Sequence, residues 1–395
     1  MSSFVIEGGT RLSGEIIPQG AKNEALQILC AVLLTPETVT LNKVPNIRDV
    51  NKLIELLADL GVEVEHLSGE SYSFCAKNVN IDYLETQEFR KKASSLRGSI
   101  MILGPLLARF GKGKISKPGG DKIGRRRLDT HFIGFQKLGA RFLYESETGM
   151  YHIDASDLKG TYMLLDEASV TGTANILMAA VLAKGKTTIY NAACEPYIQQ
   201  LSKMLNRMGA KITGVGSNLL HIEGVESLGG TDHTMLPDMI EIGSFIGMAA
   251  MTQSEITIKD CRIEELGLIP ETFRRLGIEM EFRGDDIYIP TQENYEIDTF
   301  IDGSIMTIAD ARENYVSSLD LQIDKNQLSG RFIEQFTQVL TPYKEGICPV
   351  RVFYQRDEAQ GMLELGVQWR VSPSDQLLYD LKTLLGDEQV ELKFK

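Results

Sequence analysis

The sequence predicts an α/β fold assembled from like units about seventy residues long, followed by a small α+β unit with a different grammar. Three observations carry that reading. One phrase recurs four times: a helix closes on a large apolar residue, then comes Gly, then a small or branched apolar residue opens a strand. It stands at Leu60-Gly61-Val62, Leu138-Gly139-Ala140, Met208-Gly209-Ala210 and Leu276-Gly277-Ile278, with the glycines 78, 70 and 68 residues apart. Upstream of three copies lie an apolar helix, a turn and a short β-branched strand. After Ala311 the pattern never returns.

The elements follow in order. The first unit has a helix over Ala25 to Leu34 and a strand at Thr38-Val39-Thr40-Leu41. Another has a helix over Asn175 to Leu182 and a strand at Lys186-Thr187-Thr188-Ile189, with Asn175 expected at the helix start. The last has a helix over Ile242 to Met251 and a strand at Glu255-Ile256-Thr257-Ile258. Each unit reads as helix, strand, helix, strand, with Gly in the left-handed region stopping the second helix. The tail, 312–395, predicts a strand over Ser318 to Ile323, a helix over Gln327 to Leu340, and strands over Val350 to Gln355 and Met362 to Arg370. A helix over Ser374 to Leu385, capped by Ser374 and stopped at Gly386, leads to a last strand over Val390 to Phe394.

Composition excludes several classes. The 395 residues, 43% apolar and 24% charged, are ordinary for a soluble chain of two or more domains. The amino terminus has no basic segment leading into an apolar run, and no apolar stretch is long enough to span a bilayer. Five scattered cysteines, Cys30, Cys75, Cys194, Cys261 and Cys348, contain no close metal-binding pair. They read as reduced thiols in a cytoplasmic protein without metal or cofactor. A net charge of -13 argues against a general nucleic-acid binder.

Against that acidic background, Lys112 to Arg127 holds seven basic residues in sixteen and one acid, Asp121. Gly119 and Gly120 let backbone approach a ligand closely, and the arginines offer forked donors for phosphate or carboxylate. The alternative is a solvated basic loop. The lone Asp121 among cations favours a catalytic loop.

Six motifs in order bring a family into view. They are Gly20-Ala21-Lys22-Asn23; Leu96-Arg97-Gly98-Ser99 with Leu103-Gly104-Pro105-Leu106; the loop Pro118 to His131; Ala168 to Asn175; Asn191 to Pro196; and Leu236 to Glu241. Through them residues 1–311 resemble the enolpyruvyl (carboxyvinyl) transferases of cell-wall synthesis. The fold implied is an inside-out α/β barrel: two lobes of repeated units, sheets outside and helices buried, joined by a double crossover. Residues 22–236 would form the lobe carrying the nucleotide-sugar site and the catalytic loop 118–131. Residues 1–21 with 237–311 would form a partial second lobe.

The reaction implied moves the enolpyruvyl group of phosphoenolpyruvate to the 3-hydroxyl of UDP-N-acetylglucosamine, with no membrane and, for 1–311, no nucleic acid involved. It requires a proton for the methylene carbon, removal of the hydroxyl proton and fixed cations for the anionic groups. By resemblance Lys22, Arg97 and Arg126 are the cations, Asn23 orients the sugar, and Asp121 is the acid. Cys is commoner at that position and is the thiol that fosfomycin alkylates, so this chain is expected to be fosfomycin-insensitive. An Asp with an ordinary value near 3.9 would need burial to serve as an acid, against the pull of neighbouring cations.

The nucleotide side is implied for Arg126, Leu128, Asp129, His131, Ser169, Val170 and Gly172. Asp238 and Glu241 open the next lobe and would face the cleft. Residue by residue, blander roles stand beside these. Lys22 and Arg97 also read as exposed helix-end charges, His131 equally as a packing histidine, and Asp238 and Glu241 as first-turn carboxylates. Glu167 stands where Lys is commoner, and Arg127 where Pro is.

Past Ala311 the family continues with a catalytic Asp and further arginines that have no counterpart assignable here. Instead, Val352-Phe353-Tyr354, Leu365 to Val371 and Leu384 to Asp387 resemble the carboxyl-terminal domain of a bacterial DNA polymerase III α subunit. Three readings follow: a transferase with impaired turnover, a non-catalytic UDP-sugar-binding module, or a fusion whose tail contacts replication partners.

Overall fold

The computed structural model describes residues 5, 8–116, 128–146, 149–297, 312, 315–324, 330–356 and 359–394. Contacts divide the chain into Met1–Asp298 and Thr299–Lys395, thirteen residues before the 311/312 junction expected from sequence.

The first unit opens with β1 (Ser13–Ile16) and then repeats one theme. The first copy is α1 (Lys22–Ala31), β2 (Thr38–Asn42), α2 (Arg48–Asp59), β3 (Glu63–Ser68) and β4 (Ser71–Cys75). After α3 (Gln87–Ser94) come α4 (Leu103–Phe110), β5 (Lys112–Ser116), α5 (Asp129–Lys137), β6 (Arg141–Glu145) and β7 (Met150–Asp154). A single strand, β8 (Tyr162–Leu164), precedes α6 (Val170–Ala180), β9 (Lys186–Tyr190), α7 (Pro196–Arg207), β10 (Lys211–Thr213) and β11 (Leu219–Glu223). Another, β12 (Thr231–Thr234), precedes α8 (Met239–Met251), β13 (Glu255–Ile258), α9 (Ile269–Arg275), β14 (Glu281–Arg283) and β15 (Asp286–Ile289).

Sheet topology makes the repetition explicit. Three sheets share one plan, β12-β2-β4-β3, β8-β9-β11-β10 and β1-β13-β15-β14. In each, the first pair is parallel and the other two are antiparallel. The sheet β5-β7-β6 is the same plan without the parallel strand. Gly61, Gly139, Gly209 and Gly277 all stop their helices at positive φ (91°, 102°, 106° and 79°), where a Cβ would be strained.

The first helix of each copy is apolar nearly all round, and the second is amphipathic. Nine of the eleven residues of α6 are buried, against four of twelve in α2. A helix apolar on every face must be enclosed, and α6 packs against both α1 and α4. The result is a helical interior with sheets outside, and none of the described sheets closes on itself. Two apolar cores result. One runs from Ala25 to Met235, and the other gathers Ile242, Ile246, Ile256, Ile258 and Ile287.

The chain passes twice between these cores. Gly20 bridges Pro237, Ala21 N–H donates to Leu236 O (2.8 Å), and Asp238 N–H donates to Gln19 O (2.8 Å). Buried Glu24 ties the same crossing from inside. It accepts from the Leu236 amide (3.0 Å) and from His233 Nε2 (2.7 Å). Arg207 donates to His233 Nδ1 (2.8 Å), so the imidazole proton sits on Nε2.

The second unit contains β16 (Val316–Asp324), α10 (Gly330–Leu340), β17 (Lys344–Cys348), β18 (Val350–Arg356), β19 (Ala359–Glu364), α11 (Asp375–Leu385) and β20 (Val390–Phe394). Its sheet runs β19-β18-β16-β20. Ser374 caps α11 through the Leu377 amide (3.2 Å). The expected start of α10 at Gln327 lies outside the described residues. Two expectations need correction: β17 was not foreseen, and β19 ends at Glu364 because Val367–Trp369 turn into a short 3-10 helix.

A Cβ on Gly20 would lie 1.8 Å from the Lys43 carbonyl oxygen. Gly20→Ala must therefore push residue 20 and the Lys43–Pro45 turn apart, with an expected loss of about 3 kcal/mol. Thermal melting of the two proteins checks this, and an unchanged Tm would refute it.

Candidate active site

Five helix starts and one turn converge on a cavity of about 970 Å³. It is lined by Lys22, Asn23, Leu26 and Gln27 of α1 and by Arg48, Asp49 and Lys52 of α2. Arg97 and its neighbours, Leu128, Val170, Thr171, Glu195, Tyr197, Met239 and Ile240 complete it. Of the site residues expected from sequence, the cavity brings together Lys22, Asn23, Arg97, Leu128 and Val170.

Lys22 is set by the crossover. Its amide donates to Asp238 Oδ2 (3.0 Å), and its ammonium pairs with Asp49 Oδ2 (2.6 Å). Arg48 and Lys52 lie one turn apart on α2 and add two cations to the wall. Sequence reading missed both, although their i,i+4 spacing opposite the buried Val50, Leu53 and Leu57 was available as a signal.

Asp238 and Glu241 are engaged elsewhere. The Asp238 carboxylate caps α8 through the Ile240 (2.9 Å) and Glu241 (3.3 Å) amides while holding Lys22. Glu241 accepts from the Gln19 amide (2.7 Å). Neither lines the cavity; both fix the crossover.

His131 is 2% exposed and does not line the cavity. Asn175 Nδ2, which can only donate, meets its Nδ1 at 3.0 Å, so Nε2 carries the proton toward Thr171 Oγ1 (3.2 Å). Burial, reinforced by the Arg97 charge, pushes the imidazole down to about 4. Asn175 is not the helix start expected: it lies mid-helix in α6 and also binds Ile100 O (2.8 Å) and the Gly104 amide (2.7 Å).

Ser169 caps α6 through the Gly172 amide (3.2 Å). Gly172 lets α5 approach, since a Cβ there would stand 2.7 Å from Thr130 Cγ2. Glu167 accepts from Thr130 Oγ1 (2.9 Å), latching α5 to α6. Asp129 opens α5 outside the cavity lining. Asp121 and Arg126, with most of loop 118–131, lie outside the described residues. Among the described residues lining the cavity there is no cysteine.

Interior helices with sheets outside, opening on a cationic cleft, are an arrangement this chain shares with the carboxyvinyltransferases. Residues 6–312 match the family model of EPSP synthase (3-phosphoshikimate 1-carboxyvinyltransferase), and the chain belongs to that carboxyvinyltransferase family. Within it, the chain is similar to UDP-N-acetylglucosamine 1-carboxyvinyltransferase of Bacteroides fragilis, 72% identical over 311 residues, covering 79% of this chain and 72% of the relative. The Porphyromonas gingivalis protein of the same name is 64% identical over the same shares.

The fold is shared with the enolpyruvyl transferase NikO from Streptomyces tendae, at 16% identity and a TM-score of 0.62, covering 97% of this chain and 90% of that one. EPSP synthase from Acinetobacter baumannii follows at 18% identity and a TM-score of 0.56, covering 77% and 69%. Residues 335–386 match the carboxyl-terminal domain of DNA polymerase III subunit alpha. No described helix is long and apolar enough to cross a membrane.

An imidazole with an ordinary value of 6.5, held at about 4 by the fold, binds its proton more readily in the unfolded chain. Its contribution to stability is complete above pH 6.5 and is lost as pH falls toward 4, by roughly 3 kcal/mol in all. His131→Gln should flatten that part of the stability–pH profile in urea titrations. An equal slope in both proteins would refute the assignment.

Proposed function

We propose that the cavity takes UDP-N-acetylglucosamine and phosphoenolpyruvate, and that the chain carries out carboxyvinyl transfer with low turnover. The observation carrying this is the convergence of Lys22, Asn23, Arg97, Leu128 and Val170 on one cavity. In a protein of net charge -13, a wall with four cations concentrates anionic metabolites.

Lys22 and Arg97 hold phosphate and carboxylate, with Arg126 joining from the loop, and Asn23 orients the sugar. Asp121 protonates the methylene carbon as the 3-hydroxyl oxygen bonds to the neighbouring carbon and releases its proton to water. The bond from that carbon to the phosphate oxygen then breaks, phosphate leaving with the electron pair, as the Asp121 carboxylate takes back one methyl proton and the vinyl group is restored. Cations preorganised around the developing charge lower that barrier. Ser169 and Gly172 act by shaping the start of α6, and Asp129 and His131 by holding α5 beside it. Asp238 and Glu241 act by placing Lys22. Reduced thiols and metabolite substrates fit a cytoplasmic protein.

Turnover is limited because likeness to the relatives ends near residue 312, at 72% of their length. The same observation supports a second reading, a UDP-sugar-binding module without catalysis. The partner of the tail is left open.

Calorimetric titration with UDP-N-acetylglucosamine should give saturable binding that weakens about tenfold or more in Lys22→Met and Arg97→Met. Phosphate release from phosphoenolpyruvate separates the two readings. No heat of binding would refute both. Incubation with fosfomycin should leave residue 121 unmodified by mass spectrometry, since it is a carboxylate; an adduct on Asp121 would refute that expectation.

A further inference from the structure

One buried cluster of ionisable side chains lies behind the start of α1 and takes no part in the chemistry proposed for the cavity. Glu24 follows Lys22 and Asn23 on α1 and is 0% exposed, and His233 on β12 is 3% exposed. Glu24 Oε1 accepts from His233 Nε2 (2.7 Å), and Oε2 accepts from the Leu236 amide (3.0 Å). Arg207, exposed in the last turn of α7, donates to His233 Nδ1 (2.8 Å) and to Asp232 O (3.2 Å).

The donors fix the charges. A guanidinium can only donate, so Nδ1 accepts and the imidazole is neutral, with its proton on Nε2. Both Glu24 oxygens then face donors, which leaves a carboxylic proton no acceptor among the described residues. Glu24 is therefore ionised, although burial pushes its carboxyl up from the ordinary range. Glu265 and Tyr197 also lie within electrostatic reach of Glu24, and neither is cationic. The balancing charge comes from Arg207, through the ring.

A buried charge is expensive, and apolar side chains of similar volume often fill such positions with no loss of stability. What the charge supplies here is direction. Leu236, held by Glu24 through its amide, accepts from the Ala21 amide through its carbonyl (2.8 Å). Asp238, two residues on, accepts from the Lys22 amide (3.0 Å). The carboxylate thus closes a ring of contacts around the residues that place Lys22 and Asn23 on the cavity wall.

We infer that Glu24, His233 and Arg207 are positioning residues of the site: a relay of carboxylate, single imidazole tautomer and guanidinium holds the start of α1 where it binds ligand. None of the three lines the cavity. The inference rests on the reading that the cavity binds a UDP-sugar.

The test titrates UDP-N-acetylglucosamine into the full chain as wild type, Glu24→Gln, Arg207→Met and the double variant, well below each Tm. In Glu24→Gln the new amide sets a donor against a donor, and affinity should fall about tenfold. Arg207→Met, at an exposed position, should fold and weaken binding about threefold. The double variant frees the imidazole to carry its proton on Nδ1, so that Nε2 accepts from the new amide and the amide oxygen accepts from Leu236. Its affinity should return to within about twofold of wild type. Nitrogen NMR of His233 should show Nδ1 unprotonated in wild type and protonated in the double variant.

Unchanged affinities with only Tm lowered assign the three a merely structural role and overturn the inference. So does a double variant as weak as Glu24→Gln, or an Nδ1 proton in wild type. If Glu24→Gln does not fold alone, recovery of folding and binding in the double variant supports the relay, and failure there overturns it. Silence of wild type toward the ligand overturns the cavity reading instead, and leaves nothing for the relay to position.

Discussion

The contact on which the rest depends is the pairing of residues 19–22 with 236–238. It joins two cores that share no other continuous chain among the described residues, and it ends directly in the site. One carboxylate, Asp238, satisfies two amides at the start of α8 and the Lys22 amide at the start of α1. A single side chain thereby fixes two helix N-termini relative to each other. Gly20 lets the Lys43–Pro45 turn press against the first crossing strand, and buried Glu24 anchors the pairing from the interior side. Loss of that geometry would displace Lys22 and Asn23 of α1 and Met239 and Ile240 of α8 together, although the two helices are far apart in sequence.

The repeats explain why a site forms where it does. Every copy but the last runs its first helix through the interior, and the starts of several first helices meet at the cavity. α1, α6 and α8 contribute their first residues to the cavity, and α7 adds its own start. Aligned peptide dipoles make that region positive before any side chain is counted. Lys22, Arg48, Lys52 and Arg97 then reinforce a field that the backbone already supplies. An acidic protein thus holds a local anion trap without being basic overall.

Much of this was legible in the sequence because the repeats write it more than once. The Gly at the end of each second helix, the β-branched strands and the apolar first helices each recur, and recurrence separates signal from accident. Lys22, Asn23 and Arg97 were legible only through the family motifs, since a single charged residue at a helix end has no periodic signature. Arg48 and Lys52 had a local signature in their one-turn spacing, but nothing in the sequence tells which face of α2 meets a cavity. Glu195 and Tyr197 were illegible for a deeper reason: only folding brings the start of α7 beside α1, far away in sequence. His131 is the converse case: a polar residue in a ligand motif whose hydrogen bonds are all internal.

The same grammar also explains why binding and turnover need not fail together. α6 and α8 are both first helices with similar all-round apolar composition, yet α6 buries nine of eleven residues and α8 only Ile242, Ile246 and Ala249 of thirteen. α6 lies between sister helices, whereas Met251 is 89% exposed at the end of α8. Most of the cavity lining comes from elements packed on the large core, and only Met239 and Ile240 come from the smaller one. Stability is distributed unevenly along such a structure, with the least enclosed elements opening first. Ligand capture draws on the well-packed side of the cavity. Steps that need both cores to hold a fixed geometry draw on α8, which is far less enclosed than α6.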